Sequence, residues 1–240
     1  MTGRLIGVGL GPGDPDLMSV RARQTLAAAD RIAYFHKSGR VGHARTLVQG
    51  FLRQDLPEFP MTYPVTTEIA VTDPQYNTLL SRFYAQCCEQ LEQWVLSGET
   101  VAVLCEGDPF FYGSFMHLYR RLHERVPTEV IPAITGMSAA WTATGMPITW
   151  GDDVLTVLMA TLPEDTLVEH MQRADALVVM KIGRHGEKLR RALAASGRLE
   201  SAWLVTYASM PEQQCLPFTE ASLPLPYFAI VVVHGQGRRP

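Results

Sequence analysis

Apolar and polar positions alternate along the chain in two distinct rhythms. Short continuous apolar runs at 31–35, 100–105, 129–131, 153–160, 175–181, 203–207 and 227–233 predict strands, the last having the strongest β propensity. Between them, apolar residues three and four apart predict helices. The clearest helix follows Asp73-Pro74, a cap with a proline at the first helical position. Tyr76, Leu79, Leu80, Phe83, Cys87, Leu91, Trp94 and Val95 form its one apolar stripe, and Gly98 ends it. Further helices are expected over 20–29 with Ser19 as N-cap, and over 114–125, 134–141, 164–173 and 183–195. The helix over 134–141 is packed with small residues, and Gly145-Met146-Pro147 stops it. Residues 56–72 read as irregular and proline-rich, with two short extended pieces.

Strands alternating with helices indicate an α/β fold. At 240 residues, the chain has room for one large domain or two small ones, and the expected division is 1–130 and 131–240. Strands crowd late in the chain, with hairpin-like turns through Pro211 and Pro217, so mixed sheets are expected.

The first strand runs into Gly7-Val8-Gly9-Leu10-Gly11-Pro12-Gly13-Asp14-Pro15. Alternating glycines at a strand's carboxyl end mark backbone that approaches something closely, or takes φ values that a Cβ forbids. A dinucleotide fingerprint would need this loop to open directly into a helix whose N–H groups hold pyrophosphate. Pro12 has no N–H, and Pro15 disfavours helix at Asp14. The loop therefore reads as a bent ledge that lines a site but holds phosphate poorly.

Composition narrows the choices further. A hydrophobic fraction of 47% with 19% charged residues is that of an ordinary globular protein, and a net charge of −3 gives no reason to expect nucleic acid or membrane. The four cysteines form no C-x-x-C and the seven histidines no H-x-x-x-H, so neither a disulfide framework nor a metal site is expected. The start lacks an apolar signal core, and a cytoplasmic location is expected. One stretch is locally basic. No acidic residue lies between Asp30 and Asp55, while Arg31, Lys37, Arg40, Arg45 and Arg53 do. A solvated face and a loop for an anionic substrate both explain it.

A second loaded strand end is Glu106-Gly107-Asp108-Pro109-Phe110-Phe111-Tyr112-Gly113-Ser114, and a third motif is Ile131-Pro132-Ala133-Ile134-Thr135-Gly136-Met137-Ser138-Ala139-Ala140. With the glycine ledge and Gly145-Met146-Pro147-Ile148-Thr149, these resemble the tetrapyrrole methylase family, the class III S-adenosylmethionine-dependent methyltransferases, essentially from end to end. The Phe35-His36-Lys37-Ser38-Gly39-Arg40 stretch looks most like the branch that methylates carbon 20 in cobalamin biosynthesis. The resemblance implies two α/β domains with a cofactor cleft between them, S-adenosylmethionine as cofactor, an anionic tetrapyrrole substrate and a homodimer.

Carried over by position, the resemblance implies cofactor contacts at Pro12, Gly107, Asp108, Phe111, Tyr112, Thr135, Gly136, Ser138, Met180 and Ala208. Ala133 and Glu106 depart from glycines found in many relatives, and Ala133 is expected to alter how closely its turn approaches. The substrate's carboxylates give the basic stretch a purpose, with Lys37, Arg40, Arg45 and Arg184 as their expected partners. Glu106, Asp108, His36 and Tyr112 are candidates for accepting a proton, and none is assigned as catalytic. Two alternatives remain open here. One is another methylase of the family, acting at a different carbon or on a cobalt-loaded ring. The other is a nicotinamide-dependent oxidoreductase, which Pro12 opposes.

Overall fold

The computed structural model describes residues 3–65 and 73–237. The chain divides into two compact units, Met1–Thr135 and Gly136–Pro240. Residues 66–72, the later part of the stretch expected to be irregular, lie outside the described residues.

In the first unit, β1 (Arg4–Gly9) passes through a 3-10 turn (Pro15–Leu17) to α1 (Val20–Ala28). Then come β2 (Arg31–Lys37), α2 (His43–Leu47), β3 (Glu58–Tyr63), α3 (Pro74–Leu96), β4 (Thr100–Cys105), α4 (Phe115–Leu122) and β5 (Thr128–Ile131). The anticipated caps form. Ser19 Oγ accepts the Ala22 N–H (3.1 Å) at the start of α1, and Asp73 accepts the Gln75 N–H (2.8 Å) at the start of α3. The short α2 was not anticipated, while β3 is one of the short extended pieces expected within 56–72, formed as a regular strand. Pro60 is tolerated in β3 because that strand is the edge of its sheet.

This sheet has the order β3-β2-β4-β1-β5, and every ladder in it is parallel. The carboxyl ends of all five strands therefore share one edge. From β1 the chain departs towards β2 on one side, and from β4 it departs towards β5 on the other. The neighbours β1 and β4 thus flank a topological switch point, the place where open α/β sheets leave a crevice for ligands. Ile6, Val8, Ala102 and Leu104 pack against α1 and α2, while Leu5, Val101 and Val103 pack against α3 and α4. Side chains such as Leu26, Leu91 and Leu118 have no exposed surface, and each contributes about 2 kcal/mol by leaving water.

The second unit runs α5 (Gly136–Ala143), β6 (Leu155–Met159), α6 (Glu164–Arg173), β7 (Ala176–Met180), α7 (Gly186–Ala195), β8 (Ala202–Thr206), β9 (Gln214–Pro217) and β10 (Ala229–Val233). Its sheet is the mixed one, in the order β6-β7-β10-β8-β9. β6 and β7 are parallel, while β10 lies antiparallel between β7 and β8. β6, β7 and β8 consequently all end at the same edge. α6 and α7 cover one face and α5 the other. β9 was not anticipated; it is a four-residue edge strand that ends in Pro217, paired with β8 across a hairpin.

Candidate functional site

The glycines of the ledge divide by cause. A Cβ on Gly7 would come within 2.4 Å of the Phe115 ring, and one on Gly9 within 2.6 Å of Ala133 Cβ and 2.9 Å of the Ile131 carbonyl. These two glycines let α4 and the end of β5 pack close. Gly11 and Gly13 have φ of 84° and 151°, where a side chain is strained. Asp14 accepts the Asp16 N–H (2.8 Å), a 3-10 turn follows, and the first α-helix starts only at Val20. No helix N-terminus opens at the glycine loop, so the geometry that would hold a dinucleotide pyrophosphate is not built here.

The β4 turn is joined to this ledge. Leu10 N–H donates to the Cys105 carbonyl (3.0 Å), and Gly107 N–H to the Gly11 carbonyl (2.8 Å), forming an antiparallel bridge between Gly11 and Gly107. Gly107 turns with φ of 63°. Asp108 follows, and its carboxylate is committed to backbone. Oδ1 accepts the Phe110 N–H and Oδ2 the Ala133 N–H, both at 2.9 Å. Asp108 therefore ties the β4 turn to the chain leaving β5. Phe111 and Tyr112 meet edge to face at 4.9 Å, and Tyr112 is exposed with φ of 54°.

Glu106 stands beside them, open to solvent yet crowded by protein. That crowding pushes its carboxyl above the usual range, while the charge of His43 and the Ala44 N–H at the start of α2 pull it down. Burial also pushes the Cys87 thiol up to about 12 and the Cys88 thiol up to about 11, so both are packing residues in α3.

The basic stretch begins where β2 ends, at the same edge. Lys37 and Arg40 are exposed on a turn closed by Arg40 N–H donating to the Lys37 carbonyl (3.1 Å). Arg45 is placed differently. Its Nε and Nη2 donate to Glu58 at 2.9 and 2.7 Å, holding that carboxyl below the usual carboxylate range and fastening α2 to β3. Because β2, β4 and β1 are adjacent, the basic turn, the acidic turn and the glycine ledge stand side by side.

In the second unit, Gly136 and Ser138 lie in the first turn of α5, directly after Thr135. Met180 ends β7, and Ala208 follows β8 at the same edge; Arg184 lies in the 3-10 turn Gly183–His185 beyond β7. Lys181, Tyr207 and Ser209 have φ of 52°, 51° and 64°, a cluster of left-handed non-glycine residues beside Met180 and Ala208. Such strain costs of order 1 kcal/mol per residue and concentrates where backbone is aimed at a ligand. Side-chain identity gives no sign of it, so these three residues were not among the expected ones. Among the described residues, no group of three His, Cys, Asp or Glu side chains could hold a metal ion, and no helix is long and apolar enough to cross a membrane.

The family model for tetrapyrrole (corrin/porphyrin) methylases matches residues 4–224. The chain is 49% identical over 239 residues to a precorrin-2 C(20)-methyltransferase of Sinorhizobium sp, covering 99% of this chain and 98% of that one. It is 27% identical over 242 residues to a cobalt-precorrin-2 C(20)-methyltransferase of Salmonella typhimurium, covering 98% of each. A uroporphyrin-III C-methyltransferase from Thermus thermophilus, solved in complex with S-adenosylhomocysteine, superposes with a TM-score of 0.66 at 20% identity, over 97% of this chain and 92% of that one.

Proposed function

Because the chain belongs to the tetrapyrrole (corrin/porphyrin) methylases, we propose that it transfers a methyl group from S-adenosylmethionine to carbon 20 of precorrin-2, giving precorrin-3A and S-adenosylhomocysteine. One observation carries this: the full-length likeness to the Sinorhizobium enzyme, much greater than that to the cobalt-precorrin-2 relative.

S-adenosylmethionine supplies a methyl group already activated on a sulfonium. The C20–methyl bond forms as the sulfur–methyl bond breaks, the electron pair stays on sulfur, and the C20 proton leaves. The bridging carbon of a reduced tetrapyrrole is itself nucleophilic, so the protein's task is placement at about 3–3.5 Å and exclusion of water.

The chemistry of the strand ends suits the cofactor. In the first unit, Pro12, Gly107, Phe111 and Tyr112 offer glycine-shaped backbone and aromatic surface, with Asp108 holding their turn. In the second, Thr135, Gly136 and Ser138 offer polar groups, and Met180 and Ala208 offer backbone re-aimed by its left-handed neighbours. We assign Lys37 and Arg40 to the substrate's carboxylates, with Arg184 as the second unit's candidate, and leave Arg45 to its pairing with Glu58. We take the enzyme to act as a cytoplasmic homodimer that binds neither nucleic acid nor membrane.

The test is anaerobic incubation with S-adenosylmethionine and freshly generated precorrin-2, followed by mass spectrometry and carbon NMR. One added methyl at carbon 20 is expected. Transfer only to the cobalt-loaded ring, or at another carbon, would overturn the assignment while keeping the family chemistry.

A further inference from the structure

His36 is the penultimate residue of β2, paired with Thr62 in the parallel ladder to β3. Its Nε2 lies 2.7 Å from Thr62 Oγ1. Its Nδ1 faces two backbone oxygens, the Lys37 carbonyl at 3.1 Å and the Arg40 carbonyl at 3.0 Å. A carbonyl only accepts, so two of them in front of one ring nitrogen place a proton on Nδ1. The Thr62 hydroxyl, which is able to donate, then serves Nε2. The Lys37 carbonyl also receives the Arg40 N–H, so the imidazole fills the inside of a turn whose two ends are Lys37 and Arg40. Gly39, with φ of 75°, makes the reversal possible. Gly42 lets the chain return over the strand, since a Cβ there would lie 2.7 Å from the Phe35 carbonyl.

We propose that His36 is a positioning residue for substrate recognition: its Nδ1–H holds the Lys37 and Arg40 carbonyls and so presents the two cations to the tetrapyrrole carboxylates. This rests on the assignment of those cations to carboxylate binding. It also removes His36 from the candidates for accepting the C20 proton, because one ring nitrogen carries a proton and Thr62 occupies the other.

Asparagine places an N–H where Nδ1 stands, and glutamine places one nearer Nε2, which makes a selective test. The variants H36A, H36N, H36Q and the double variant K37A/R40A are compared by steady-state kinetics with precorrin-2, S-adenosylhomocysteine calorimetry and the pH profile of kcat. H36A and H36Q should raise the KM for precorrin-2 about tenfold, the loss of roughly one charge-assisted contact, with kcat and S-adenosylhomocysteine affinity within about twofold. H36N should return KM to near the parent value with an unchanged pH profile.

H36N as impaired as H36Q, H36Q as good as H36N, or loss of a pH limb in H36N would each overturn the proposal. If H36A fails to fold, the H36N and H36Q pair still decides. An unchanged KM in K37A/R40A would sink the assignment of the cations and the proposal with it. A raised KM there, beside parent values in H36A and H36Q, would sink the role of His36 alone.

Discussion

The carboxyl strand ends of the two units solve one problem in opposite ways. In the first, most of the backbone that must turn sharply or pack closely is glycine: Gly7 and Gly9 for contact, Gly11 and Gly107 for conformation. In the second, the corresponding turns after β7 and β8 use Lys181, Tyr207 and Ser209 at positive φ. A Cβ at Gly7 or Gly9 would clash outright, and among the described residues the first unit keeps only Tyr112 (φ 54°) as a left-handed side chain at these turns, whereas the second unit's turns carry three, with strain that a glycine would relieve. Ligand-facing backbone can thus be shaped either by removing side chains or by forcing them, and only the first way leaves a mark in the sequence.

That contrast predicts substitutions of opposite sign. Gly9→Ala should be the most damaging, because its methyl group would strike Ala133 Cβ and the Ile131 carbonyl. A loss of about 3 kcal/mol in chemical denaturation is expected, with partial recovery when Ala133→Gly is added. An undisturbed Gly9→Ala would break the comparison at its root.

Asp108→Ala comes next. It leaves the Phe110 and Ala133 amides without their acceptor, and should cost about 2 kcal/mol and weaken S-adenosylhomocysteine binding, with Asp108→Asn in between. Binding at full strength in the alanine variant would show that the turn needs no such tie.

In the second unit, Lys181→Gly should instead gain up to about 1 kcal/mol by relieving the left-handed conformation. A lowered melting temperature would mean that strain is not what distinguishes this edge.

The smallest effect is expected at the Arg45–Glu58 pair. Glu58 titrates below its ordinary value in the folded state, so its contribution is complete above the unfolded value of about 4.3 and fades as pH falls through the folded one. Glu58→Gln should cost less than about 1 kcal/mol at pH 7, with the gap to the parent closing in acid. A gap that widens in acid would contradict the assignment of that carboxylate to Arg45.

Legibility from sequence followed the same physics. α3 was readable because its apolar positions keep helical spacing and are buried from Phe83 to Val95, and α6 because its bounds coincide with an amphipathic run between two strands. α2 was not, since five residues are too few to show a period. β9 hid, and β3 showed only as a short extended piece, because both are edge strands carrying proline, where burial is shallow and alternation weak. At the site, the ledge and the β4 turn announced themselves through glycine and aspartate, but the commitment of Asp108 to two amides did not. Nor did the diversion of Arg45 to Glu58, which depends on an unread helix packing beside a strand that showed only as a short extended piece. Charge counting sees Lys37, Arg40 and Arg45 as equals, whereas folding separates Arg45 from the other two.

The order of strands in the first sheet has a consequence for how this protein comes into being. β4 lies between β1 and β2, although it follows both in the chain. A nascent polypeptide that has not yet delivered Thr100–Cys105 has no strand to fill that gap, so β1 and β2 wait with unpaired backbone and buried-type side chains in water. The glycine ledge and the basic turn, both synthesised early, gain their places only when this keystone arrives. Truncation before β4 should therefore yield an aggregation-prone chain rather than a smaller working domain.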